Sequence, residues 1–150
     1  MQKFLNITQD GQIIYTQHGK PFLKGNMNYF SLSHGGNYSV IAVHKKNIGI
    51  DIEKIGYGDA MAARLMFTTD EKAWISGSNT RFYALWTQKE SILKADGRGF
   101  SLSPNSFSVL SGCAWETDTF FYDNHVITCA AKSPFKIEWE LISAKELMGV

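Results

Sequence analysis

IGIDIEKI, residues 48–55, alternates β-branched isoleucines with a glycine and two acids. Successive side chains on a strand point to opposite faces. Ile48, Ile50 and Ile52 therefore share one face, suited to a core, while Gly49, Asp51 and Glu53 share the other. At a rise of roughly 3.3 Å per residue the backbones of Asp51 and Glu53 stand about 7 Å apart, within reach of one shared cation. Without a cation the two carboxylates repel. For an arbitrary acidic pair, an edge strand with its second face in water is the favoured account, so the choice depends on what the rest of the chain brings to that face.

Upstream, YFSLSH and YSVIAVHKKNIGIDIE read as strands. Tyr38 to Val43 is rich in β-branched residues, and Lys45-Lys46-Asn47 turns the chain back antiparallel. Residues 3 to 16 read as two short strands about an Asp10-Gly11 turn, followed by the turn-rich HGKPFLKGNMN. Downstream the period changes. Met61, Leu65 and Met66 have helical spacing, and Thr68 or Thr69 before Asp70 and Glu71 caps a short second helix through Ile75. NTRFYALWTQKESILKADG is the strongest helix, capped by Asn79 or Thr80, with Phe82, Leu85, Trp86 and Leu93 as its buried stripe and Gly97 as its stop. SFSVLSG, AWETDTFFYDNHVITCAAK and FKIEWELIS supply three or four further strands, with turns at Gly112 and Asp123-Asn124. Strands, then helices, then strands give an α+β class.

The bulk numbers fit one folded domain over residues 1–150. Hydrophobic residues make up 44% and charged residues 19%, with 13 Gly and only 3 Pro, a globular composition. A net charge of +1, with no basic run, argues against a nucleic-acid-binding protein. Cys113 and Cys129 are the only cysteines and form no CxxC pair, so a reduced, cytoplasmic setting is expected. No stretch has the roughly 20 apolar residues of a membrane span, nor MQKFLNITQDGQ the core of a signal peptide, so neither membrane nor secretion is expected.

On the long helix Trp86, Glu90 and Lys94 are spaced four apart and lie along one line beside the apolar stripe. Glu90 and Lys94 are thus expected at the border of core and solvent. Taken alone they are a surface pair worth a few tenths of a kcal/mol. ADGRGFSLS then sets Arg98 between two glycines, and SLSHGG sets His34 before two more. Each is compatible with anion binding through backbone donors or with an ordinary turn.

Taken in order, FSLSH, GIDIE and WTQKESILKADGRGFSLSPNSFSV resemble the 4'-phosphopantetheinyl transferase superfamily, most closely its Sfp-type branch. The likeness runs from Gly19-Lys20-Pro21 to the CAAK ending at Lys132. It implies antiparallel sheets packed with a long helix in a two-lobed pseudo-twofold arrangement. It also implies transfer of phosphopantetheine from coenzyme A to a serine of an acyl or peptidyl carrier protein, releasing adenosine 3',5'-bisphosphate. On this resemblance Asp51, Glu53 and Glu90 hold Mg²⁺, which Mn²⁺ could replace. Glu90 also acts as base toward the serine, directly or through a water, and Lys94 stabilises phosphate charge with Lys89 as an auxiliary contact. Ser33 and His34 grip coenzyme A phosphates, Lys20 lies near the adenine nucleotide, and Arg98 has a basic counterpart.

The sequence departs from the pattern in its first lobe, expected as a shortened segment 1–50 before a C-terminal lobe 51–150. Lys3, Lys24 or a second subunit would then have to supply missing contacts, which puts a homo-oligomer among the expectations. KIGYGDAMAARLMF, with Met61, Leu65 and Met66, reads either as core or as the face that docks a carrier. A non-catalytic homologue that binds coenzyme A or a carrier is the alternative function; the retained carboxylates and Lys94 favour catalysis.

Overall fold

The structure, a computed structural model, describes residues 12–25 and 28–148. Strand β5 (Ile48–Lys54) is the edge of a three-stranded antiparallel sheet in the order β5-β7-β6, with β6 at Glu116–Tyr122 and β7 at His125–Ala131. The Asp123-Asn124 turn joins β6 to β7, both residues having positive φ. Two hairpins precede this sheet: β1 (Ile13–Tyr15) with β2 (Pro21–Leu23), and β3 (Tyr29–Gly35) with β4 (Tyr38–His44). Helices α1 (Ala60–Met66), α2 (Thr69–Ile75) and α3 (Asn79–Asp96) follow β5, and α4 is Ala144–Met148. The class is α+β, as expected, and no helix among the described residues is long and apolar enough to cross a membrane.

The period-2 reading of β5 holds on both faces. Ile50 and Ile52 are buried with Ile127 and Cys129, packed against Tyr38, Val40 and Ala42 of β4. The opposite face lies under α3, and Gly49 is the point of closest approach: a Cβ there would stand 1.9 Å from the Ser91 carbonyl oxygen and 2.6 Å from the Ala95 nitrogen. Beside β5, the alternation of β3 turns Ser31, Ser33 and Gly35 inward and leaves Leu32 and His34 exposed. Ser31 Oγ accepts from the Ile50 amide at 3.1 Å, and a Cβ at Gly35 would meet the Ile52 carbonyl at 2.6 Å. Small side chains thus let β3 lie against β5 through side-chain bonds.

Ser78, one residue earlier than expected, caps α3 by accepting from the Arg81 amide. Asn79 instead accepts from the Gly58 amide. Gly97 closes the helix at φ +78°, its amide donating to Leu93. The buried face of α3 is wider than the expected stripe. It includes Thr87, Lys89, Ser91, Ile92 and Ala95, whereas Leu93 is half-buried. On α1, Met66 is core, while Met61 and Leu65 are exposed.

Two expected strands are absent. SFSVLSG is irregular after a 3-10 turn at Pro104–Ser106, because buried side chains claim its backbone: Glu71 accepts from the Val109 amide and Lys89 donates to the Phe107 carbonyl. FKIEWELIS crosses the sheet as an irregular segment, with Phe135 and Ile137 packed on the isoleucine face and Trp139 stacked on Phe120. Its alternation marks packing onto a sheet face; it joins no sheet ladder. At the other end, β1 pairs with β2 across the Gln17-His18 turn. Asp10-Gly11 and Lys3 lie outside the described residues. Both cysteines are free, and burial pushes the Cys129 thiol up to about 12.

Gly49→Ala should cost about 2–3 kcal/mol by forcing α3 off the sheet. Denaturant unfolding checks this, and an unchanged midpoint would show that the contact is slack.

Candidate active site

The face of β5 under α3 opens into a cleft of about 390 Å³ lined by Leu32, Ser33, His34, Asp51, Glu53, Trp86, Glu90 and Lys94. Three elements supply it. β5 contributes the two acids, two and four residues beyond Gly49, α3 contributes the Trp86–Glu90–Lys94 line, and β3 contributes Ser33 and His34. Asp51 is only 3% exposed. Its Oδ1 accepts from Lys94 Nζ at 2.6 Å and from Ser33 Oγ at 2.8 Å. Lys94 also donates to Ser33 Oγ at 2.9 Å, closing a three-membered network. The other oxygen, Asp51 Oδ2, is buried without a hydrogen-bond partner.

An unpartnered buried carboxylate oxygen is costly, because it has lost water and gained nothing in exchange. Its neighbours carry the same debt. Burial, and then the charge of Asp51, pushes the Glu53 carboxyl above the usual carboxylate range, although Lys94 and a hydrogen bond from Trp86 pull the other way. Glu90 is raised by the same two causes in the same order, with Lys94 opposing. Three carboxylates therefore face one polar cleft with a single ammonium among them. Oxygen donors with excess negative charge fit a hard divalent cation, and Asp51 Oδ2 is free to bind one. Among the described residues no three acidic, histidine or cysteine side chains are already gathered around a point that could hold a metal ion. Binding would therefore have to draw Glu53 and Glu90 inward.

Of the nine residues named from the sequence, Asp51, Glu53, Glu90, Lys94, Ser33 and His34 meet in this cleft. Lys20, Lys89 and Arg98 do not line it. Lys20 donates to the Ala95 carbonyl at 2.9 Å, satisfying the C-terminal end of α3 where a cation is favoured. Burial brings it down to about 8. Arg98 is exposed and paired with Asp96. Lys89 is wholly buried in an ion pair with Glu71 at 2.8 Å, and desolvation lowers its pKa against the pull of that partner. Leu32 was not foreseen as a lining residue, yet it shares the exposed side of β3 with His34, two residues away, so strand alternation carried the signal. Glu71 was read only as a helix cap; a lone acid in a cap gives no sign of a buried partner eighteen residues on.

The family model described as the 4'-phosphopantetheinyl transferase superfamily matches residues 47–142. The chain is 38% identical over 99 residues to a 4'-phosphopantetheinyl transferase of Bacillus subtilis, covering 62% of this chain and 44% of that protein. It is 35% identical over 96 residues to 4'-phosphopantetheinyl transferase gsp of Aneurinibacillus migulanus, covering 61% and 40%. Against 4'-phosphopantetheinyl transferase Sfp of Bacillus subtilis (strain 168) it is 28% identical over 153 residues, covering 88% and 68%. The matched stretch spans less than half the length of the first two relatives.

Because Glu53 and Glu90 have raised pKa values, the folded state holds their protons more tightly than the unfolded chain does. Their contribution to stability is full below the ordinary glutamate value and is lost as pH rises through the raised values. In metal-free buffer, Glu53→Gln and Glu90→Gln should therefore raise the thermal midpoint at pH 7, with the gain vanishing near pH 4. A lower midpoint at pH 7 would mean the carboxylates are already compensated.

Proposed function

The chain belongs to the 4'-phosphopantetheinyl transferase superfamily, and on that premise we propose that it transfers the 4'-phosphopantetheine group of coenzyme A to a serine hydroxyl of an acyl or peptidyl carrier protein. One observation carries the reading. Carboxylates from a strand and a helix share a cleft with a lysine, a serine and a histidine, and the most buried carboxylate has one oxygen unsatisfied.

Asp51, Glu53 and Glu90 would hold Mg²⁺, or Mn²⁺ in its place. Such a cation neutralises pyrophosphate charge and orients its oxygens for in-line displacement. The serine oxygen bonds to the phosphorus on the pantetheine side, and the bond from that phosphorus to the bridging oxygen breaks. Adenosine 3',5'-bisphosphate leaves with the electron pair. Glu90, which faces the same cleft, takes the serine proton directly or through a water. Lys94, held by Asp51 and Ser33, presents its ammonium to the phosphoryl oxygens as charge shifts onto the leaving group. His34, exposed at the cleft edge, supplies a ring nitrogen to a coenzyme A phosphate, and Ser33 supplies its hydroxyl. The exposed Met61 and Leu65 form the apolar surface on which this reading places the carrier.

Intact-mass measurement on a panel of apo acyl and peptidyl carriers, incubated with coenzyme A and Mg²⁺, should show one phosphopantetheine increment on at least one carrier, abolished by a chelator. Glu90→Gln should lower the rate at least about 100-fold while remaining folded. Coenzyme A binding without addition to any carrier would instead identify a binding homologue.

A further inference from the structure

The buried pair Glu71–Lys89 is unlike the other ion pairs of the described residues, since both side chains are 0% exposed. Every hydrogen of the Lys89 ammonium is used. It donates to Glu71 Oε2 at 2.8 Å, to the Pro104 carbonyl at 2.7 Å and to the Phe107 carbonyl at 2.6 Å, and it stands 4.6 Å from the centre of the Phe107 ring. Glu71 is equally committed. Its Oε2 accepts from the Thr68 amide and its Oε1 from the Val109 amide, each at 2.9 Å. One charge pair thus fastens α3 to the start of α2 and to the irregular segment 104–109.

Stability does not account for such a pair. A well-packed apolar replacement of similar volume is often as stable or more so, because two ions must be taken out of water. What charges offer that methylenes do not is direction: three donors and two acceptor oxygens fix one geometry. Lys89 immediately precedes Glu90, and consecutive helical side chains are set about 100° apart. Anchoring Lys89 in the interior therefore sets the rotation of α3 about its axis. Glu90 must then face the cleft, with Trp86 and Lys94 one turn to either side.

We infer that Glu71 and Lys89 are positioning residues for the transfer: they touch no substrate, and their buried ion pair aims the Glu90 carboxylate by fixing the rotation of α3. The inference rests on the transferase reading for its effect on rate, but its geometric content stands without that reading.

The test replaces both charges, Glu71→Gln with Lys89→Met, in the full chain. The double variant should fold by circular dichroism. Its kcat should fall by about tenfold or more, since small misplacements of a reacting group are costly, while KM for coenzyme A stays within about twofold. Lys89→Arg, which keeps the charge, should recover part of the loss. A folded double variant with wild-type kcat overturns the inference and leaves the pair a fastener only. Should the double variant fail to fold, Glu71→Gln alone is read for the same split, and an unchanged kcat there is equally fatal. A crystal structure of the folded variant reads the geometry without an assay. Displacement of Glu90 relative to Asp51 is expected, and a superimposable Glu90 overturns the inference even if the wild-type chain modifies no carrier. That last result would count against the transferase reading alone.

Discussion

Helix α3 rests on strand β5 so closely at Gly49 that a single methyl group there would overlap the helix backbone. That contact converts a strand's simple alternation into a polar cleft lined by carboxylates. Two residues further on, at the same face, Asp51 is drawn under the helix out of water, and at the next alternate position Glu53 meets the helix at its edge. Had the helix stood farther off, both acids would be solvated and electrostatically idle. The isoleucines on the reverse face hold the strand to the β4 side of the core, so the acids have no alternative exposure.

The electrostatics of the cleft show the same tension between folding and function. Lys94 satisfies one oxygen of Asp51 and leaves the other bare, while burial and mutual repulsion raise both glutamates. A sequence optimised for stability alone would not gather these groups. An excess of carboxylate over ammonium favours positive charge supplied from outside, which is the role the proposed function gives to a divalent cation. Rigid surroundings are then required, because a base a fraction of an ångström out of line loses its advantage. α3 is fastened accordingly, by Gly97 and Lys20 at its C-terminal end, Ser78 at its N-terminal end and the Glu71–Lys89 pair on its inner face.

Much of this was legible in the sequence. The period-2 pattern of residues 48–53 fixed which face carried the acids, and the four-residue spacing of Trp86, Glu90 and Lys94 put them on one line. Both are local regularities that survive into the fold. FSLSH was legible in its small inward serines once β3 was read as a strand. What the sequence does not reveal concerns residues whose surroundings are set by distant parts of the chain. The resemblance sets Lys20 near the adenine nucleotide and Lys89 beside the phosphates, and nothing local announces the carbonyls and the carboxylate to which they bond. SFSVLSG and FKIEWELIS have strand-like composition, yet in the first buried side chains claim backbone groups a ladder would need. In the second the apolar residues pack onto a sheet face.

The chain belongs to the superfamily over residues 47–142, and the function proposed for it requires one chemistry, phosphoryl transfer assisted by a cation held between β5 and α3. The most direct measurement is anomalous diffraction at the manganese edge from crystals holding coenzyme A and Mn²⁺. The account predicts a single strong peak within bonding distance of carboxylate oxygens of Asp51, Glu53 and Glu90, beside the pyrophosphate. Bound nucleotide with manganese elsewhere, or with no peak between the strand and the helix, would contradict it.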